Sequence, residues 1–341
     1  MRIGVLGAAG RIADLIALAK RVEELGYDSI WVPEFHNSDG FVRMTAVALN
    51  TSRLTVASGI VNAFNRAPAM VAAAAMDIDE LSDGRLILGI GTSTRRMQER
   101  WYGIEYRPPA PRVEELIQLL QALWRGHAAG PFRFQGDYYD VEIETYGRAA
   151  PRRETVPIYL AGVNRRMVRA AAHYADGLVG HPLYSQSWIR DAVLPSIEDG
   201  LRRSGRTRDQ FVFSSEIITS VSNEREEAMR AAKLQVGFYA TTRTYETILA
   251  HSGWAGIADD LRAAFARRDM AGILAAVPDE MVEATAVVGT PDEAREKMRR
   301  YEGTVDLAIL YPPGFGLGPE ESRRARDAMI ETFAPALTRA R

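Results

Sequence analysis

Apolar residues in this chain gather into short unbroken runs, each followed by a longer stretch in which they return every three or four positions. Runs such as 2–7, 28–32, 54–59 and 85–89 lack polar alternation, which predicts strands buried on both faces, as parallel sheets are. After the first run, Ile12, Leu15, Ile16, Ala19, Val22 and Leu25 recur at helical spacing until Gly26 interrupts them. The unit therefore reads strand, helix, stop. It repeats with helices over 41–49, 69–81 and 113–124, then with strands over 156–160, 177–179, 211–220 and 305–310. The helices paired with those later strands span 166–174, 188–203, 224–238 and 320–337. Eight such units predict an α/β fold, a (β/α)8 barrel spanning 1–341 as one domain, because eight strands with right-handed crossovers close into a ring without edges.

Two regions depart from the repeat. Residues 132–144 alternate and turn at Gly136 and Asp137, the pattern of a small β-hairpin placed after the fourth strand. Residues from about 240 to 283 form a helical insertion before the eighth strand, after which Thr290, Pro291 and Glu293 mark a new helix start. An insertion on the active rim of a barrel serves either as a lid or substrate wall or as a subunit contact.

In a barrel of this kind the chemistry lies where strands stop. The third strand stops at Ser58, Gly59 and Asn62, and the fourth at Gly89, Gly91, Thr92 and Ser93. The second runs into WVPEFHNSDGF, which sets two titratable groups, Glu34 and His36, on the same rim as a candidate acid–base pair. The fifth ends at Ala161 and Gly162, followed by Asn164, Arg165 and Arg166 at a helix start. Open amides, the helix dipole and a guanidinium make that an anion site; the alternative is a capped helix with solvated arginines. Thr94 stands where the dinucleotide fingerprint needs its last glycine, and neither HExxH, CxxC nor GxSxG occurs. Rossmann binding, a catalytic metal and serine hydrolysis therefore find no support.

Composition narrows the classes further. Of 341 residues 47% are hydrophobic and 25% charged, the balance of a globular protein with a large core. The net charge is -2, and Arg202, Arg203, Arg206 and Arg323, Arg324, Arg326 fall on helix faces, which predicts no nucleic-acid partner. The absence of cysteine excludes disulfides, thiolate metal sites and a cysteine nucleophile. The chain opens directly on a strand, and no apolar run approaches the ~18 residues of a membrane span. The expectation is a cytoplasmic protein with no membrane partner, acting on a small molecule.

Taken together, WVPEFHNSDGF, ASGIVNAFNRAPA, DELSDGRLILGIGT, VPIYLAGVN, YADGLVG and AVVGTPDEAREKM resemble the bacterial luciferase-like superfamily, in particular its branch that uses the deazaflavin coenzyme F420. The first third is most similar to the methylenetetrahydromethanopterin reductases. The resemblance implies a TIM barrel with the ring at its C-terminal rim, a homodimer or higher homo-oligomer, and an F420-dependent oxidoreductase moving a hydride between C5 of the deazaflavin and a small organic substrate. An FMN-dependent monooxygenase and a non-catalytic barrel binding a flavin or deazaflavin are the alternatives. It further implies a non-prolyl cis peptide between Gly59 and Ile60 behind the ring, Glu34 near the ring with His36 as its partner, and Asn62, Gly91 and Thr92 beside the cofactor. Ala161, Gly162, Val163, Asn164 and Arg165 would meet its phosphate, with Gly180 and His181 at the next strand end.

Departures from the resemblance carry information too. The F420 branch often has Asp followed by His on the second strand, where this chain has Glu34, Phe35 and then His36. The reductases carry a glutamate for the pterin where this chain has Leu6, and relatives have an acidic residue where it has Ser93 or Thr94. Both differences point away from the pterin reaction.

Overall fold

A computed structural model describes residues 1–7, 10–126, 130–147 and 151–338. Eight parallel strands form its centre: β1 Arg2–Leu6, β2 Ser29–Val32, β3 Thr55–Ser58, β4 Leu86–Gly91, β5 Ile158–Gly162, β6 Gly177–Gly180, β7 Val212–Val221 and β8 Leu307–Tyr311. Each pairs with the next in sequence, and β8 returns to β1 in register from Arg2↔Leu307 to Val5↔Leu310. The ring is closed, so no strand edge of the barrel is left open.

Two apolar layers explain the unbroken runs. Leu6, Trp31, Ala57, Ile87, Tyr159, Val179, Leu307 and Ile309 fill the barrel interior. The alternate side chains, among them Val5, Ile30, Val56, Leu88, Leu160 and Leu178, face the helices, so neither face of a strand meets water. Trp31 is fully buried, and its indole Nε1 donates to Ser29 Oγ at 2.9 Å, which satisfies its polar tip.

The outer ring consists of α1 Ile12–Glu24, α2 Gly40–Ala48, α3 Pro68–Leu81, α4 Pro109–Arg125, α5 Arg165–Tyr174, α6 Leu194–Ser204, α7 Arg225–Ala240 and α8 Pro319–Phe333. The single helix expected over 188–203 is divided: a wide π turn over Ile189–Val193 precedes α6. Pro195 lies in the first turn of α6 and has no N–H for the preceding turn, so the backbone widens there. Two short strands were not legible as strands. Val61–Asn62 pairs with Ile90 and Gly91, and Val287–Gly289 extends the sheet beside Thr219 to Val221.

The hairpin after β4 is present as Gly130–Gln135 and Asp140–Tyr146. Its turn is pinned to α4 by one carboxylate: Glu115 accepts from the amides of Asp137, Tyr138 and Tyr139 at 2.9, 2.9 and 2.6 Å. The helical insertion comprises Glu246–His251, Ile257–Ala266, Met270–Ala276 and Asp279–Thr285. It packs on α7, where any Cβ at Gly237 would lie 2.7 Å from Ile273 Cγ2. Phe315, in the loop after β8, stacks on Phe238 and Phe265 with ring centroids 4.8 and 5.7 Å apart. Buried Gln235 accepts from the amides of Gly314 and Phe315 at 2.9 and 3.1 Å, so the insertion is fixed over the C-terminal rim. Among the described residues, no helix is long and apolar enough to cross a membrane.

Candidate active site at the barrel rim

The ends of β3, β4 and β5 press together through glycine. Ser58 Oγ donates to the Gly89 carbonyl at 2.8 Å, and a Cβ at Gly89 would lie 1.9 Å from the Ser58 carbonyl oxygen. One at Gly91 would lie 2.7 Å from Ile60 Cδ1 and 3.2 Å from the Ala161 Cβ. The expected cis bond between Gly59 and Ile60 is present. Gly59, Ile60, Gly91 and Ala161 thus make one floor of small groups spanning three strands. Asn62 borders it and is buried; its Nδ2 donates to Ser93 Oγ and its Oδ1 accepts from the Phe64 amide, both at 2.8 Å. Ser93 itself is left-handed, with φ of 55°, a backbone conformation that non-glycine residues adopt mainly where surrounding structure enforces it. The Thr92 carbonyl accepts from Gln98 Nε2 at 2.5 Å, while the buried Gln98 Oε1 has no partner among the described residues.

Glu34 and His36 go separate ways. The Glu34 side chain is 3% exposed and takes a bidentate pair from Arg66, Nη1 to Oε1 at 2.9 Å and Nη2 to Oε2 at 2.6 Å. The amides of Gly40 and Asn62 add bonds at 3.1 and 3.0 Å. Arg66 Nη2 also reaches Asp39 at 2.6 Å, and Asp39 caps α2 by accepting from the Val42 amide at 3.0 Å. Burial works against charge on both partners of that second pair. It is outweighed on Arg66 by the Glu34 and Asp39 bonds, which raise its pKa, and on Asp39 by the Val42 amide and Arg66, which lower its own. His36 is not the partner of Glu34. Reciprocal backbone bonds between Phe35 and Ser38, at 3.1 and 3.0 Å, make a tight turn that presents the His36 ring outward. There it packs against Phe35 and Trp101, with ring centroids 5.1 and 5.2 Å apart.

The start of α5 is a capped helix terminus with open amides. Asn164 caps the helix by accepting from the Met167 amide at 3.0 Å, and the amides of Arg165 and Arg166 have no acceptor among the described residues. Arg166 pairs with Glu114 at 3.7 Å. Arg165 makes no ion pair there; its guanidinium lies 5.9 Å from the Trp188 ring centre. Between this helix start and the insertion opens a cleft of about 730 Å³ bordered by Asn164, Arg165, Trp188, Thr247 and His251. The first helix of the insertion therefore walls that cleft.

At the next strand end, a Cβ on Gly180 would meet Ser215 Oγ at 2.8 Å, and His181 lies against the rings of Tyr245 and Tyr239 at 3.9 and 5.2 Å. Burial drives the His181 pKa down to about 3, so the ring is neutral. The sequence reading missed four groups beside it: Glu216 of β7, Tyr311 of β8, Tyr239 of α7 and Tyr245 of the insertion. Burial pushes the Glu216 carboxyl up to about 8 and raises both Tyr311 and Tyr245 to about 12. A signal for Glu216 existed, since it is the lone charge inside FVFSSEIITSV, a run whose faces are otherwise small or apolar.

A closed parallel barrel whose small-residue floor adjoins a helix start with open amides suits a ligand with a flat ring and an anionic group. The family model for luciferase-like monooxygenases matches residues 2–307, and the chain belongs to that family of oxidoreductases. It is 32% identical to an uncharacterized protein of Mycobacterium tuberculosis over 298 residues, covering 85% of this chain and 87% of the relative. It is 27% identical to the 5,10-methylenetetrahydromethanopterin reductase of Archaeoglobus fulgidus, covering 89% and 90%. The structure of the coenzyme F420-dependent tetrahydromethanopterin reductase from Methanopyrus kandleri superposes with a TM-score of 0.81 at 20% identity, over 97% of this chain and 99% of that one.

Proposed function

We propose that this chain is a coenzyme F420-dependent oxidoreductase that transfers a hydride between C5 of the deazaflavin and a small organic substrate. The observation carrying this reading is the junction, on one rim, of the floor at Gly59, Ile60, Gly91 and Ala161 with the open amides of Arg165 and Arg166. A tricyclic ring with an anionic tail needs both, a flat surface for its face and a helix start for its phosphate. The residues present fit that group. When bound, a deazaflavin supplies or accepts the hydride, which no side chain can do.

In this reading Gly59, Ile60, Gly91 and Thr92 lie against the ring and Asn62 at its edge. Ala161, Gly162, Val163, Asn164 and Arg165 hold the phosphate, and Gly180 and His181 close the adjoining side. Glu34 is a positioning residue: it grips the Asn62 amide at 3.0 Å and so fixes the ring's edge. His36 acts with Phe35 and Trp101 on the substrate side. The working unit is a cytoplasmic homodimer or higher homo-oligomer of one domain, and the exposed Val42 and Met70, 58% and 64% accessible on α2 and α3, support such a contact.

Fluorescence titration of the purified protein with F420 and with FMN tests the cofactor. F420 is expected to bind at least about tenfold more tightly than FMN, a gap of ~1.4 kcal/mol, and Arg165→Ala to weaken it by about tenfold. Tight FMN binding without F420 affinity replaces this reading with an FMN-dependent monooxygenase.

A further inference from the structure

Across the ring from β3, the rim carries a carboxyl to which the cofactor reading gives no task. Glu216 is in register with Ile309 of β8, an interior side chain. It lies an even number of positions from Val212, which also packs on the barrel interior. Its side chain therefore points into the barrel mouth rather than toward the helices. No hydrogen-bond donor among the described residues serves that carboxyl. The titratable groups that face it are Tyr311 from β8, Tyr239 from α7 and Tyr245 from the insertion, with His181 from the end of β6 packed on the last two. None of these carries charge at neutral pH, so Glu216 has no ionic partner among the described residues.

What the cluster does offer is donors. Tyr239 donates to Tyr311 at 2.9 Å, which leaves the Tyr311 hydroxyl proton for another acceptor. His181 Nδ1 accepts from the Leu183 amide at 3.2 Å. This assigns the proton of the neutral ring to Nε2, and that N–H is sealed from solvent without a partner among the described residues. Burial also holds the Glu216 carboxyl in its protonated form to about pH 8, so it too is a donor at neutral pH. A cluster of neutral donors fits an acceptor oxygen, and among the described residues it lacks the cation that an anionic head would need.

We infer that Glu216 is the proton donor to the oxygen of a carbonyl substrate, with Tyr311 and His181 as further hydrogen-bond donors to that oxygen. The substrate class is a small neutral ketone or aldehyde together with its alcohol. This inference rests on the deazaflavin reading above, which names the reductant. In the reduction the carbonyl π bond breaks, and the carbon gains its new C–H bond from the hydride of the reduced deazaflavin. The oxygen takes the proton of the Glu216 O–H. Two electrons leave the deazaflavin and enter the carbonyl, and the Glu216 carboxylate regains its proton from water. Alcohol oxidation runs the same steps backward, with the carboxylate as base.

Glu216→Gln keeps the shape and removes the proton. In the cofactor-free protein at pH 7, the infrared difference between wild type and variant should show a protonated-carboxyl band that fades with a midpoint near pH 8. With acetone and cyclohexanone as probes, single-turnover oxidation of reduced F420 should fall at least about 100-fold in Glu216→Gln and recover in part in Glu216→Asp. The affinity for F420 should stay within about twofold. An ionised carboxyl in the wild type at pH 7, or a Glu216→Gln variant with the wild-type rate, overturns the assignment. Failure of the F420-loaded wild type to reduce either ketone overturns the substrate class. Failure of the wild type to bind F420 overturns the cofactor reading instead, and the infrared difference still decides whether Glu216 holds the pocket's proton.

Discussion

Two positions separate Glu34 from His36, yet their environments have nothing in common. Residue type and place in the chain made both visible as titratable groups after β2. Neither could reveal that Arg66, some thirty residues downstream, closes on Glu34 with two hydrogen bonds. A carboxylate gripped in this way is held in one position and holds its neighbours in place. Removing its cation leaves it buried with only its amide donors. Arg66→Ala should therefore lower unfolding stability by about 3 kcal/mol, the lower end for a broken buried pair because Arg66 is partly exposed. His36→Ala, at an exposed turn, should change stability by no more than ~0.5 kcal/mol. Urea unfolding of both variants measures this; equal midpoints would mean that the Glu34 and Arg66 pair is not what anchors the rim.

Among elements, the strand ends were the most legible feature because their chemistry is local. An apolar run that stops on glycine, serine or asparagine can be read without knowing its neighbours, and the floor at Gly59, Ile60 and Gly91 follows from it. The closeness of β3 and β4 was not legible, since it depends on how two strands meet. Any Cβ at Gly89 would lie 1.9 Å from the Ser58 carbonyl oxygen, against backbone that cannot swing aside. Gly89→Ala should accordingly destabilise by more than ~3 kcal/mol or prevent accumulation of folded protein. Gly314→Ala is the control, for a Cβ there meets nothing within 4 Å. Circular dichroism melts of the pair decide, and a Gly89→Ala protein that melts with the wild type would show that these strands can part freely. The division ahead of α6 has the same origin as other missed boundaries: helical periodicity continues through a π turn, and only Pro195 hints at it.

For the molecule as a whole, two partly buried groups of the barrel mouth set opposite slopes of stability against pH. Glu216 is raised from an ordinary 4.5 to about 8. Across that window the folded chain retains a proton that the unfolded chain has released, so stability falls as pH rises. His181 is lowered from 6.5 to about 3; there the unfolded chain binds the extra proton, and stability falls as pH drops. The two effects oppose between pH 4.5 and 6.5, and above 6.5 that of Glu216 stands alone. Glu216→Gln should thus melt a few degrees above wild type at pH 9 and gain little at pH 5. A difference independent of pH, read by scanning calorimetry, would assign the change to packing instead. The sequence by itself determined the eightfold repeat, the closed parallel barrel, the inserted hairpin and helices, and the small-residue strand ends, because hydrophobic period and glycine placement act over a few residues. Only the tertiary structure decided that Arg66 locks Glu34, that His36 stands apart, and that Glu216, Tyr239, Tyr245, Tyr311 and His181 gather at one side of the barrel mouth. Those groups come from five separate elements, and their protonation is set by burial, which no stretch of sequence carries alone.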